Sequence, residues 1–247
     1  MARVAMAGDP QTPDGLVEAF VGDPNPRVRR AVAARAGLRT SLARRLAADE
    51  NAKVRMAVAE NPDCHPDVLV VLVADADFHV RFSALENPRA DSSVHEAICR
   101  SAHEDVRYRL AGSESLDETV VDMLRRDPAP AVRGSLASAT TAAHALADLV
   151  NDPDPRVRAQ AALNSNTSRE QRRRLARDRS TDVRMALVQV VELEDEDLVR
   201  LATDRSVHVR WWLSVRSPVP LRILRVLADD PDPDVRAHAR HKLGLAE

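Results

Sequence analysis

Apolar positions recur along the chain in one fixed order. A valine followed by arginine stands at Val28-Arg29, Val54-Arg55, Val80-Arg81, Val106-Arg107, Val132-Arg133, Val157-Arg158, Val183-Arg184, Val209-Arg210 and Val235-Arg236. The spacing is 26 residues seven times and 25 once, between Val132 and Val157. Counting back 26 from Val28 reaches Ala2-Arg3, where Arg3 to Pro10 parallels Arg55 to Pro62, so ten units are visible and the first is a half repeat. Five residues before the valine stands Asp23, Asp49, Asp75, Asp127, Asp152, Asp178, Asp204 or Asp230, with Ser101 the exception. Three residues earlier comes a large apolar residue: Phe20, Leu46, Leu72, Ile98, Leu124, Leu149, Leu175, Leu201 or Leu227. Four residues after the valine comes Val32, Val58, Ala84, Leu110, Leu136, Ala161, Leu187, Leu213 or Ala239.

This pattern predicts two short helices per repeat. The first covers segments such as Thr40–Ala48 and Ser168–Arg177 and often opens on a Ser, Thr or Asp able to cap exposed N–H groups. The second follows the aspartate and carries Val-Arg. In Asp152-Pro-Asp-Pro-Arg-Val157 the first aspartate is expected to cap, while proline sets φ without needing an N–H. Asn61-Pro62 and Asn87-Pro88 end their helices, because a residue before proline avoids the helical region. A two-helix unit of this size cannot bury its apolar stripe alone, whereas stacked units can. The expected fold is therefore all-α: one solenoid over residues 1–247. The joint at Ser138–Ala142 is one residue short and lacks the Asn-Pro stop, which marks it for a local change in curvature.

Composition agrees with thin layers. Apolar residues make up 44% of the chain but aromatics only 2%, and there are seven glycines. A single large core built on Phe, Tyr and Trp is excluded, and so are glycine-rich nucleotide loops. The formal charge of −2 offers no global field to gather nucleic acid or an anionic membrane. Lys53 and Lys242 are the only lysines; that arginine bias, with the abundant alanine, suits a GC-rich, bacterial-like genome. Cys64 and Cys99 are the only cysteines, so no disulfide framework is indicated and a cytoplasmic location is expected. No signal peptide is expected, and the longest aliphatic run, Val68 to Ala74, is too short to span a bilayer.

The pattern Leu-x-x-Asp-Pro-x-Pro-x-Val-Arg-x-x-(Ala/Val/Leu)-Ala resembles HEAT-like repeats. The 26-residue period and the Asn-Pro stop are similar to the leucine-rich repeat variant (LRV) subclass, and the resemblance covers essentially residues 1–247. It implies a right-handed superhelix and leaves open a 3₁₀-helix as one of the two helices of each repeat. An LRV protein can carry a cysteine-rich iron–sulfur segment before its repeats. This chain has only two cysteines, so no cofactor is expected. The resemblance also implies a ladder in which the Asp and Arg columns tie loops and neighbouring units together. Asp49, Arg55, Asp75, Arg81, Asp152, Arg158, Asp204 and Arg210 would be its members. A phosphate track is the other reading of an arginine row, but each arginine here travels with an aspartate that would neutralise it.

The column two residues after each valine reads Arg30, Met56, Phe82, Tyr108, Gly134, Ala159, Met185, Trp211 and Ala237. It lies about 200° from the valine around a helix, opposite the buried face. By analogy with HEAT-like solenoids the second helix lines the concave surface. Arg30, Met56, Phe82, Tyr108, Met185 and Trp211 are then candidates for partner binding, since exposed apolar patches mark binding sites. Packing of the same column against neighbouring repeats is the competing reading. The pair Trp211-Trp212 cannot point both rings one way, so one ring is expected to face outward.

His95, Cys99 and His103 fall at i, i+4 and i+8, a spacing Zn²⁺ could use on a continuous helix. The repeat register instead gives Cys99 a small core position and puts His103 in a joint, so no metal is expected; Cys64-His65, also in a joint, is weaker still. No phosphate loop, His-Glu-x-x-His or Gly-x-Ser-x-Gly occurs, and no enzymatic activity is expected. The leading functional expectation is a non-enzymatic scaffold that binds a protein or peptide along its concave face. The alternative is a nucleic-acid-binding solenoid with a surface like that of the HEAT-like alkylpurine DNA glycosylases, using Arg27, Arg30 and Lys53 beside Met56, Phe82 and Tyr108. End-to-end self-association is a further expectation, because solenoid ends normally need polar caps and none is evident at Lys242–Leu245.

Overall fold

The computed structural model describes residues 2–190 and 193–245, and every regular element among them is an α-helix. The chain divides into two compact units, Met1–Leu110 and Ala111–Glu247. The first holds α1 (Ala2–Gly8), α2 (Asp14–Phe20), α3 (Pro26–Ala33), α4 (Thr40–Leu46), α5 (Ala52–Glu60), α6 (Pro66–Leu72), α7 (Phe78–Leu85), α8 (Ser92–Arg100) and nearly all of α9 (Glu104–Ala111). The second holds α10 (Glu118–Leu124), α11 (Pro130–Ala139), α12 (Ala143–Leu149), α13 (Pro155–Leu163), α14 (Arg169–Leu175), α15 (Thr181–Val188), α16 (Asp195–Ala202), α17 (Val207–Val215), α18 (Leu221–Leu227) and α19 (Pro233–Leu243). Even-numbered helices are the first of each repeat, odd-numbered ones the second, and α1 is the second helix of the half repeat.

The all-α repeat solenoid is the fold of both units. Second helices stack on second helices: α1, α3, α5 and α7 in the first unit, and α11, α13, α15, α17 and α19 in the second. First helices form the other layer, with α4, α6 and α8 in contact, and α16 with α18. The periodic columns explain this packing. All nine valines of the Val-Arg pairs are at most 1% exposed, and so is every residue four positions later. Leu46, Leu72, Ile98, Leu124, Leu149, Leu175, Leu201 and Leu227 from the first helices are equally covered, while Phe20 is half-buried. Each fully buried Val, Leu or Ile among them contributes about 1.5–3 kcal/mol, and the core is a stack of thin aliphatic layers without a ring in it.

Both helices of each repeat are α, so the alternation with a 3₁₀-helix is not found among the described residues. Tighter i→i+3 bonds close the first helices: the N–H groups of Ala48 and Asp49 donate to the carbonyls of Arg45 and Leu46, at 3.2 and 3.1 Å. This closing turn also makes the first helices shorter than expected, Thr40–Leu46 and Arg169–Leu175. Ser168 caps α14 in a capping box with Gln171.

The second helices are capped differently from expectation. Asp154, not Asp152, accepts from the Arg156 N–H at the start of α13. Asn25, Asn51, Asp77 and Asp232 occupy the same cap position on α3, α5, α7 and α19. The ladder aspartate lies two residues earlier and instead closes an Asx turn, accepting the cap residue's own N–H: Asn51 to Asp49 at 2.9 Å, Asp154 to Asp152 at 2.8 Å.

Candidate functional site

Each ladder arginine faces two ways. Its Nη1 donates back to the carbonyl of its own repeat's aspartate, 2.8 Å for Arg55 to Asp49 and 2.7 Å for Arg158 to Asp152. Its Nε and Nη2 clamp the carboxylate of the next repeat's aspartate. Arg55 holds Asp75 at 2.7 and 2.8 Å, Arg158 holds Asp178 at 2.7 and 2.9 Å, and Arg210 holds Asp230 at 2.7 and 3.0 Å. Arg29–Asp49, Arg133–Asp152 and Arg184–Asp204 repeat the geometry. The ion pairs therefore run between repeats, twenty or nineteen residues apart, and not within one repeat as Asp49 with Arg55 would suggest. Such paired forks combine charge with fixed direction.

The ladder holds its carboxylates ionised. Burial alone would push Asp49, Asp75, Asp178, Asp204 and Asp230 up, but the arginine fork, the Asx-turn N–H and the surrounding charges outweigh it, and each sits below its usual range. Hydrogen bonds to those carboxylates raise Arg29, Arg55, Arg158, Arg184 and Arg210. Where Ser101 replaces the aspartate, Arg81 turns to Asp105 four residues further on. That contact engages Nη2, and the buried Arg81 Nε is left without a hydrogen-bond partner.

A second ladder was not visible as such in the sequence. Asn61 and Asn87, read there only as helix stops, are buried, and so is Asn164, which the sequence reading did not single out. Each amide donates to two carbonyls of the preceding repeat: Asn61 to Ala33 and Arg35 at 2.8 and 2.9 Å, Asn164 to Ala137 and Thr140 at 2.9 Å each. Arg35, one repeat before Asn61, does the same with its guanidinium toward the carbonyls of Pro10 and Thr12. The recurrence of a polar side chain seven residues after the Val-Arg valine was the available signal.

The candidate binding column divides by environment. Met56, Phe82, Met185 and Trp211 are half-buried, Arg30 is exposed, and Tyr108 is 52% exposed. The packing reading thus accounts for part of this column. Phe78, which the sequence did not single out, is 46% exposed and lies against Phe82, with ring centroids 4.3 Å apart. The i, i+4 spacing of Phe78 and Phe82 on α7 places them on one face. Of the tryptophan pair, Trp212 is the outward ring at 47% exposure; Trp211 stands edge-on to both Trp212 and His238.

His95 and Cys99 lie on α8 and His103 in the joint after it. Among the described residues no three His, Cys, Asp or Glu side chains converge as a metal site. Burial pushes the Cys64 thiol up to about 11, as expected of a covered thiol held in its protonated form. No helix among the described residues is long and apolar enough to cross a membrane.

Residues 155–180, which hold α13, α14 and the joint after it, match the family model described as leucine rich repeat variant. No curated protein matches the chain. Among solved structures, the Escherichia coli protein YibA is similar at 17% identity, covering 99% of this chain and 96% of its own, with a TM-score of 0.31. A designed armadillo repeat protein is similar at 15% identity over 98% of both chains, with a TM-score of 0.21. The fold assignment rests on the helices and ladders of the chain itself.

Proposed function

We propose that this chain is a non-enzymatic repeat scaffold of the cytoplasm that binds a protein or peptide through side chains on its second helices. The observation that carries this reading is the exposure of Phe78 and Tyr108 on α7 and α9, the second helices of consecutive repeats. A chain with only six aromatics leaves these two about half uncovered, where each ring still has a large apolar area to bury. Aromatic anchors dominate protein–protein contacts, and the half-buried Phe82 backs Phe78 from behind. A chain with only two cysteines, Cys64 and Cys99, suits a reducing compartment.

The test is peptide selection from a random library against the whole chain, followed by affinity measurement on a Phe78→Ala/Tyr108→Ala variant of unchanged circular dichroism. Both side chains are exposed, so the fold should tolerate their loss. A drop of at least about thirtyfold is expected, the equivalent of one hot-spot contact of about 2 kcal/mol. Identical affinities in the two proteins would sink the reading.

A further inference from the structure

Two successive joints of the second unit depart from the repeat in the same direction. The residue after the ladder aspartate is Pro24, Pro128, Pro153 or Pro231, or else Glu50 or Ala76, but in these two joints it is Arg179 and Arg205. The next position, which caps the second helix and carries Asn25, Asn51, Asp77, Ala129, Asp154 or Asp232 elsewhere, is Ser180 and Ser206 here, and neither hydroxyl caps its helix. The first change adds a positive charge, and the second leaves the joint without the acidic cap that Asp77, Asp154 and Asp232 supply in three other repeats.

The fold brings both joints onto one open cavity of about 720 Å³, lined by Arg177, Arg179, Arg184, Arg200 and Arg205 together with Asp178, Glu196 and Asp204. All three carboxylates are engaged: Asp178 by Arg158 at 2.7 Å, Asp204 by Arg184 at 2.6 Å, and Glu196 by Arg173. Among the described residues no carboxylate lies in ion-pair contact with Arg177, Arg179, Arg200 or Arg205. Arg177 and Arg205 are steadied only by backbone, donating to the carbonyls of Arg173 and Arg179 at 3.0 and 3.1 Å. Four guanidinium groups thus line one groove without an ion pair of their own, and Asp178, Asp197 and Asp204 act on them only as nearby charges.

We propose that this groove binds a phosphate-type anion of two or more charges, free or carried on a peptide. Guanidinium forks match phosphate oxygens bidentately, and the cavity is in the size range of small-ligand sites. A nucleic-acid track is disfavoured by the sequence on either side. Pro153 with Asp154 and Pro231 with Asp232 restore the ordinary joint, so the positive stretch ends after two repeats, whereas duplex binding draws on many phosphate contacts. This site is independent of Phe78 and Tyr108.

The experiment is titration calorimetry of the whole chain at low ionic strength with inorganic triphosphate as the probe. Saturable binding of one equivalent, weakened by salt, is expected. Arg179→Ala/Arg205→Ala should lose roughly tenfold per arginine, the factor for one charge-assisted hydrogen bond. Its helical content should be unchanged, because Ala76 occupies the same place in another repeat. Arg200→Gln, on the exposed side of α16, is a second probe and should lose roughly tenfold. Absence of saturable binding, or full binding by both variants, overturns the site. A phosphoserine peptide that competes with triphosphate while its unphosphorylated twin does not bind identifies a peptide-borne phosphoryl group. Triphosphate binding with no such competition identifies a free anion, and either result supports the groove. A DNA duplex that binds with a steep salt dependence and is not displaced by triphosphate overturns it in favour of a track.

Discussion

The two units use one repeat but place their exceptions on different parts of it. In the first unit the departures are aromatic and sit on second helices, at Phe78, Phe82 and Tyr108. In the second, beside Trp211 and Trp212 on α17, they are also cationic and sit in the joints, at Arg179 and Arg205, with Ser180 and Ser206 at the cap positions. The core columns are the same in both, and so is the Arg–Asp ladder except at Ser101 of the first unit, where Arg81 turns to Asp105. In a solenoid each repeat contacts only its neighbours, so a surface position can change without disturbing the layers below. A ladder position cannot, because it is shared by two repeats.

The sharpest way to break that distinction is to remove rungs of different burial. Arg184 and Asp204 are 4% and 6% exposed, whereas Arg3 of the rung to Asp23 is 61% exposed. Arg184→Met leaves the Asp204 carboxylate buried without its counter-charge and should cost about 3–5 kcal/mol. Arg3→Met should cost at most about 1 kcal/mol, as for exposed pairs. Urea unfolding resolved by amide exchange in α15 and α17, and separately in α1 and α3, reads each effect in its own unit. Equal losses would mean that burial does not set the strength of a rung.

Acid titration sharpens the same comparison. The ladder aspartates are held below their reference value of 3.8, so the folded chain gives up these protons more readily than the unfolded chain. Their contribution is therefore complete above about pH 4 and is lost as pH falls through the lowered folded values. Asp197, buried at the start of α16, runs the other way. Burial raises it despite the charges of Arg177 and Arg173, so its effect on stability becomes more favourable as pH falls through that raised value. Urea midpoints should stay level from neutral pH to about pH 5 and fall below about pH 4. A midpoint that does not move in acid would remove the ionised ladder as a source of stability.

The smallest expected effect concerns Gly134 in α11, in the column that carries side chains elsewhere. A Cβ added there would meet Gln160 Cγ at 3.7 Å and Val157 at 4.0 Å, ordinary contact distances. Gly134→Ala should then stabilise the second unit by up to about 1 kcal/mol, from helix propensity alone. A loss in thermal unfolding would show that α11 and α13 need the glycine to approach.

Much of the fold was legible in the sequence because its cause is local and repeated. Val54, Leu46 and Val58 recur in register, and only a layered stack buries all three columns at once. The cap was misplaced from Asp154 to Asp152 because both are aspartates beside proline and only the backbone path tells an Asx turn from an N-cap. Phe78 escaped notice because it falls outside the column two residues after the valine, while four of that column's six candidates, Met56, Phe82, Met185 and Trp211, proved half-buried.

What the sequence determined by itself is the repeat, its two helices, its aliphatic columns and the pairing of charge types, because these follow from periodicity and side-chain chemistry. The tertiary structure alone decided which partners meet. Arg55 clamps Asp75 of the next repeat and not Asp49 of its own, Asn61 reaches back to Ala33, and Arg179 and Arg205 come to share one groove. The physical reason is that residues some twenty to twenty-eight positions apart become neighbours only when repeats stack, and side-chain direction then chooses among partners that the sequence leaves equivalent.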